Sequence, residues 1–121
     1  MITEDYVSFE TAKLLKEKRF DEATYHDYND NGSRWFEEVL VCHNSQGGIA
    51  CPTLQMAMKW LRDIHNLDII APPQFDNSKW TYSAVIFKLS VPCTEIRLNN
   101  NKDKKEEACE DAIKYCLEKL I

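Results

Sequence analysis

Apolar residues recur at helical spacing in three segments of the chain, with shorter apolar runs between these segments. In the first segment, Phe9, Ala12 and Leu15 repeat every three residues behind Ser8. A serine at this place can accept a hydrogen bond from the free amides at the start of a helix. The pattern therefore predicts a first helix that begins near Ser8 and ends around residues 18–20.

Two further helices are predicted from the same periodicity. The second begins at Pro52 or Thr53 and ends at Asn66, and its apolar face consists of Leu54, Ala57, Met58, Leu61 and Ile64. In the third, Asp103 and Glu106 stand at the spacing of a capping box. A wide apolar stripe follows: Ala108, Cys109, Ala112, Ile113, Cys116, Leu117 and Leu120.

Four strands are predicted between the helices. Residues 23–42 form a hairpin around Asn31-Gly32, because this dipeptide favours the positive φ angles of tight turns. A short strand over 67–71 precedes a long one over 80–91 that is apolar on both faces. The order is α-β-β-α-β-β-α, and its short connections favour antiparallel pairing. We therefore expect an α+β fold in one domain, 1–121, with an antiparallel four-stranded sheet packed with three helices.

Charge and composition narrow the function classes. The 121 residues carry 15 basic and 20 acidic side chains, a net charge of −5. This charge balance disfavours nucleic acid as a partner, since binding to phosphates needs a concentrated basic face. There is no apolar run of membrane-spanning length, and the first ten residues are acidic where a signal peptide is basic. Five cysteines without a CxxC pair agree with a cytoplasmic location, which we expect.

Residues 27–38 match the calcium-loop pattern D-x-[DN]-x-[DN]-G-x₅-E. The candidate ligands are side-chain oxygens of Asp27, Asn29, Asn31 and Glu38 and the carbonyl of Ser33, with Gly32 making the sharp turn. Position eight of the loop is Arg34 instead of an aliphatic residue, only two ligands are charged, and the flanks are predicted strands instead of helices. A solvated hairpin turn is the competing interpretation, and a weak calcium module is the alternative.

A second group of reactive residue types surrounds His43. Cys42 adjoins it and Cys51 follows eight residues later, which is not the spacing of a structural zinc site. A Cys–His nucleophile pair stays open, because such partners meet in space and not in sequence. No phosphate-binding loop or hydrolase motif occurs in the sequence. We therefore predict that the protein has no cofactor, and the sequence favours a non-catalytic protein over an enzyme.

Aromatic residues on the predicted strands suggest a contact surface. If the helices gather on one face of the sheet, Trp35, Trp80 and Tyr82 project from the other, where they would favour a homodimer. In the alternative, Trp80 and Tyr82 fill the core on the long strand.

Three stretches, 8–25, 51–67 and 106–121, resemble a group of small proteins of gut bacteria and of their prophages and mobile elements. The resemblance implies a compact α+β domain of phage or mobile-element origin, and it brings no activity, ligand or catalytic residue. Similar proteins carry glycine where this chain has Arg19. Glycine there would close the first helix in a left-handed conformation, which arginine adopts less readily.

The leading hypothesis is therefore a non-catalytic accessory protein that acts through contacts with an unknown protein partner. It rests on the lack of a catalytic motif and of a basic face. The alternatives are a weak calcium-binding module that uses residues 27–38 and a small enzyme that uses the surroundings of His43.

Overall fold

The computed structural model describes residues 4–121, and the chain divides into two compact units, Met1–Ala57 and Met58–Ile121. In the described residues, three α-helices and eight strands follow one another, and every strand pair is antiparallel. The elements are α1 Phe9–Glu17, β1 Thr24–Tyr28, β2 Arg34–Val41, β3 Ile49–Ala50, α2 Leu54–His65, β4 Leu67–Ile70, β5 Pro73–Asp76, β6 Lys79–Tyr82, β7 Val85–Lys88, β8 Thr94–Arg97 and α3 Lys105–Tyr115. The α+β class is thus confirmed.

The first unit contains α1 and a three-stranded sheet of order β2-β1-β3. The apolar residues that precede and follow the helix are buried in this unit. The helix begins as predicted, because the Ser8 hydroxyl accepts a hydrogen bond from the Thr11 amide at 3.2 Å. The Tyr28 hydroxyl donates to the Val7 carbonyl at 2.6 Å and so ties the end of β1 to the segment before the helix. Val7, Leu15 and Phe20 are fully buried.

The predicted hairpin forms with a three-residue loop. The Asn29 amide donates to the Ser33 carbonyl, the Gly32 amide donates to the Asn29 carbonyl, and Gly32 has a φ of 88°. This is a turn followed by a left-handed residue, the usual three-residue hairpin connection. After Phe36 pairs with His26 the register shifts, so that residues 37–40 of β2 lie opposite Tyr25 alone. The excess residues form a large, irregular bulge in β2.

The four-stranded sheet and the element order predicted for the chain are wrong, because the strands of the first unit form a sheet of their own. The strands of the second unit form a three-stranded sheet, β4-β7-β8, and a separate hairpin, β5–β6. The long strand predicted over 80–91 is interrupted at Ser83 and Ala84, because a distant asparagine loop bonds to them. The Ala84 amide donates to Asn100 Oδ1 at 2.9 Å, and the Ser83 hydroxyl donates to Asn101 Oδ1 at 2.7 Å.

Two details of the helices also differ from the expectation. The capping box is wrong, since α3 begins at Lys105 without a side-chain cap and the Asp103 carboxylate instead accepts from Lys79 Nζ at 2.9 Å. That hydrogen bond and the lysine charge lower the pKa of Asp103. In α2, Trp60 is buried while Ile64 is 59% exposed, so the buried face is rotated toward Trp60.

The apolar stripe of α3 is confirmed and forms much of the core of the second unit. The helix packs against β4 and β6 and continues into a π-helical turn over Cys116–Leu120. Its buried residues are Ala108, Cys109, Ala112, Ile113, Cys116 and Leu117.

The end of α1 has a backbone conformation that is uncommon for its sequence. Arg19 has a φ of 67°, in the left-handed region. The Arg19 amide donates to the Lys16 carbonyl at 3.1 Å, and the Phe20 amide donates to the Leu15 carbonyl at 2.9 Å. This pair of bonds is the Schellman motif, in which glycine is the ordinary residue at the left-handed position.

We predict that the α3 stripe is a main source of stability. Ile113→Ala and Leu117→Ala should each lower the free energy of unfolding by ~2–5 kcal/mol, because both side chains are fully buried. Ile64→Ala is the matched control, since this isoleucine is also helical but exposed. It should cost less than about 1 kcal/mol. Urea unfolding measures all three, and equal losses in Ile113→Ala and Ile64→Ala would contradict the assignment.

Arg19→Gly should raise the free energy of unfolding by up to about 1 kcal/mol, because it relieves the left-handed strain of a residue with a Cβ. Lys18→Gly is the control, because Lys18 has an ordinary φ of −91° and its replacement relieves no strain. This control should be less stable than the parent by about 0.5–1 kcal/mol. A loss of stability in Arg19→Gly, measured by urea unfolding, would show that contacts of the arginine outweigh the strain.

Candidate functional site

Large apolar side chains lie exposed on the first β-hairpin. Trp35 is 61%, Phe36 63% and Val39 65% exposed, and Tyr25 and Leu40 are also exposed. We call these five residues the β2 surface. β2 is an edge strand, because β1 pairs with it on one side and no strand of the described residues pairs with it on the other. Exposed aromatic and aliphatic side chains beside an open strand edge are typical of a contact surface.

A row of ring contacts holds one end of the β2 surface in place. The ring of Phe36 lies 6.2 Å from that of Tyr25 and 5.2 Å from that of His26. His26 in turn lies 4.4 Å from Tyr6, and the guanidinium of Arg34 stacks over Tyr6 at 4.3 Å. The row joins β1 and β2 to the segment before α1, so Phe36 and Arg34 are positioned by packing.

The protonation state of His26 determines whether the ring row beside Phe36 carries a charge. Burial lowers its pKa and the nearby Arg34 lowers it further, while Asp27 acts in the opposite direction. The imidazole is therefore mainly neutral at neutral pH. The rings around Phe36 consequently stay uncharged under these conditions.

Two carboxylates accompany the apolar residues of β2. Glu37 and Glu38 lie in the strand and are exposed. No lysine or arginine in residues 4–121 forms an ion pair with either of them. The exposed strand therefore combines apolar side chains with unpaired negative charge.

A half-buried aspartate of β1, Asp27, lies beside a buried histidine, His43. His43 is 6% exposed, and its Nε2 lies 3.1 Å from the Thr24 carbonyl, which can only accept, so Nε2 carries a proton. Its Nδ1 lies 3.7 Å from Asp27 Oδ2, and Asp27 Oδ1 is buried without a hydrogen-bond partner in the described residues. The pairing was not predicted, because Asp27 and His43 are distant in sequence and share no motif.

The contacts of His43 among the described residues do not include a cysteine thiol. Its Nε2 faces the Thr24 carbonyl, and its Nδ1 lies 3.7 Å from Asp27 Oδ2, which is too long for a hydrogen bond. The thiol of Cys51 instead lies 3.8 Å from the Val7 carbonyl. In addition, residues 4–121 contain no group of three or more His, Cys, Asp or Glu side chains that could hold a metal ion.

The candidate calcium loop is the turn between β1 and β2. Asn29 Oδ1 accepts from the amides of Asn31 and Ser33, and Asn31 Oδ1 also accepts from the Ser33 amide. Asp27 faces His43, and Glu38 lies in the bulge of β2. The flanking elements are strands, as expected from the sequence. Calcium binding by Asp27, Asn29, Asn31, Ser33 and Glu38 stays a prediction, and the turn's own hydrogen bonds account for its asparagines.

The remaining predicted aromatics lie in the second unit. Trp80 is exposed and its ring lies 5.1 Å from Phe75, the residue opposite it in the β5–β6 hairpin. Tyr82 is half-buried. The alternative in which Trp80 fills the core is therefore wrong.

The cysteines differ widely in exposure. Cys93 is exposed, Cys42 is half-buried, and Cys51, Cys109 and Cys116 are buried. Burial raises the pKa of Cys116 to about 12 and also raises that of Cys109. Because the thiolate is the reactive form, both α3 thiols belong to the core and not to a reactive site.

We expect thiol labelling of the native protein to distinguish these classes. Ellman's reagent at mildly alkaline pH should modify Cys93 rapidly and Cys42 more slowly, and the three buried thiols should react only after unfolding in guanidinium. Cys93→Ser should remove the fast phase and leave the rest unchanged. Rapid modification of Cys109 or Cys116 in folded protein would refute the burial of the α3 face.

Comparison with known proteins gives no relative. No family model, no curated protein and no solved structure matches this chain significantly. None of the helices in the described residues is both long and apolar enough to cross a membrane. Function must therefore be argued from the site itself.

Proposed function

We propose that the protein is a non-catalytic accessory protein that acts through protein–protein contacts made by the β2 surface. The observation that carries the proposal is the exposure of Trp35, Phe36 and Val39 on one edge strand. A cytoplasmic location and a phage or mobile-element origin, which the sequence suggests, belong to the same proposal.

Energetic arguments support this use of the surface. Exposed apolar patches on soluble proteins usually mark contact sites, and tryptophan is enriched among the residues that dominate binding energy. The open edge of β2 also offers main-chain hydrogen bonds to an added strand. Since ring contacts already hold Phe36, ordering it on binding costs little entropy.

The enzyme alternative has less support. The buried imidazole of His43 has the Thr24 carbonyl and Asp27 as its neighbours, and burial raises the pKa of both α3 thiols, Cys109 and Cys116. The unpartnered oxygen of Asp27 is the one feature near His43 without a structural explanation.

Site-specific photo-crosslinking in cells that express the full chain tests the proposal. A benzoylphenylalanine in place of Trp35 should yield a protein adduct of defined mass, because the side chain lies in the contact surface. The same group in place of Leu89, which is exposed in the other unit, is the control and should not yield that adduct.

The captured protein is then purified and its binding is measured. The double variant Trp35→Ser/Phe36→Ser should bind at least about tenfold more weakly than the parent chain. Absence of any protein adduct at position 35, or an equal yield at position 89, would overturn the proposed function.

A further inference from the structure

The open edge of β2 presents its backbone groups in a defined order. The Asn29 amide bonds to the Ser33 carbonyl, so by the alternation of antiparallel ladders the next hydrogen-bonded pair is Asp27–Trp35. Arg34 and Phe36 must then turn their N–H and C=O groups away from β1. The same alternation holds for β1. His26, the partner of Phe36, turns its backbone groups away from β2, and its carbonyl accepts a hydrogen bond from the Cys51 amide on the β3 side. The edge of β2 is thus a strand end with outward-facing groups at Arg34 and Phe36.

We propose that a second copy of this chain occupies this edge, antiparallel, with Phe36 opposite Phe36 of the partner subunit. The inference rests on the proposed function and names the partner of the β2 surface. The two sheets would join through backbone hydrogen bonds between the outward-facing groups of the two β2 strands. The interface is the same surface on both copies, as two-fold symmetry requires.

Hydrogen-bond parity and charge together select this register. A two-fold axis between antiparallel strands must place outward-facing residues opposite outward-facing residues, so the axis passes through a residue pair and not between residues. An axis at Arg34 would place two arginines opposite each other. An axis at Glu37 or Glu38 would place two carboxylates opposite each other, which destabilises a sheet.

Of the two central registers that remain, only one pairs opposite charges. With the axis at Trp35, Arg34 lies opposite Phe36 of the partner subunit and no ion pair forms. With the axis at Phe36, Arg34 lies beside the start of the partner's bulge, where Glu38 of the partner subunit comes within reach of its guanidinium. By symmetry this ion pair occurs twice. The Phe36 register therefore supplies partners for Glu38, which has no ion-pair partner in residues 4–121.

Side-chain packing agrees with the same register. The two Phe36 rings meet at the axis, and each is already held by its contacts with Tyr25 and His26. On the opposite face, Trp35 lies over the stem of Glu37 of the partner subunit. The bulge over residues 37–40 bends the strand, so the shared ladder is short and centred on Phe36.

Sedimentation velocity of the purified full chain across micromolar concentrations tests the proposal. The parent should dimerise reversibly. Arg34→Glu and Glu38→Arg should each raise the dimer dissociation constant at least about tenfold, because each turns both ion pairs into like-charge pairs. The double variant Arg34→Glu/Glu38→Arg restores opposite charges in reversed order and should return the constant to within about threefold of the parent.

Glu37→Arg is the matched control for net charge. It changes the net charge by the same amount as Glu38→Arg, but in this register position 37 lies opposite Trp35 of the partner subunit. It should leave the dissociation constant unchanged or lower it. Thermal melts of every variant confirm folding, and the restored dimer of the double variant cannot come from an unfolded chain.

The outcomes separate this inference from the proposed function. A parent that stays monomeric throughout, or a dimer that is insensitive to both single charge reversals, overturns the second copy in this register. Crosslinking at position 35 to another protein by a monomeric chain would leave the proposed function standing. Crosslinking to a second copy, with rescue in the double variant, supports both.

Discussion

The need to satisfy buried backbone groups is the constraint on which both units depend, and asparagine side chains meet much of it. The strands are short, so segments between them cannot rely on ladder hydrogen bonds alone. Asn44 donates to the Phe20 carbonyl at 2.6 Å and accepts from the Ala50 amide at 2.8 Å, which joins the end of α1 to β3. In the second unit Asn100 Oδ1 accepts from the Ala84 amide, and Asn101 Oδ1 accepts from the neighbouring Ser83 hydroxyl. Without these side-chain amides, backbone N–H and C=O groups at the breaks between strands would lack hydrogen-bond partners.

Local features of the fold could be predicted, and features set by distant partners could not. Ser8 caps α1 and Gly32 takes the positive φ of the hairpin turn because both effects act within a few residues. The break of the predicted strand at Ser83 depends on an asparagine 18 residues away. Likewise, Asp103 is drawn from its predicted capping role by a lysine on β6. Periodicity alone carries no information about such contacts.

The candidate site was foreseen in part. The sequence predicts Trp35 as a contact residue, and its exposure agrees with that expectation, whereas Val39 and Leu40 lie in the hairpin predicted over 23–42 and receive no contact role from the sequence. The bulge that exposes them follows from a register shift that no composition reveals. The Asp27–His43 pair has no signal in the sequence, because its two residues share no motif. The motif that drew notice to Asp27 pointed instead to calcium.

The unequal edges of the first sheet bear on polymerisation. Unlimited growth of strands into a fibril requires a long, flat edge on both sides of a sheet. Here β3 is two residues long, and the ladder of β2 is interrupted by its bulge directly after Phe36. Charged residues in the middle of an edge strand oppose stacking in the same way. A segment as apolar as Trp35-Phe36 and Val39-Leu40 can therefore stay exposed, because the geometry around it permits one strand to be added and discourages the next.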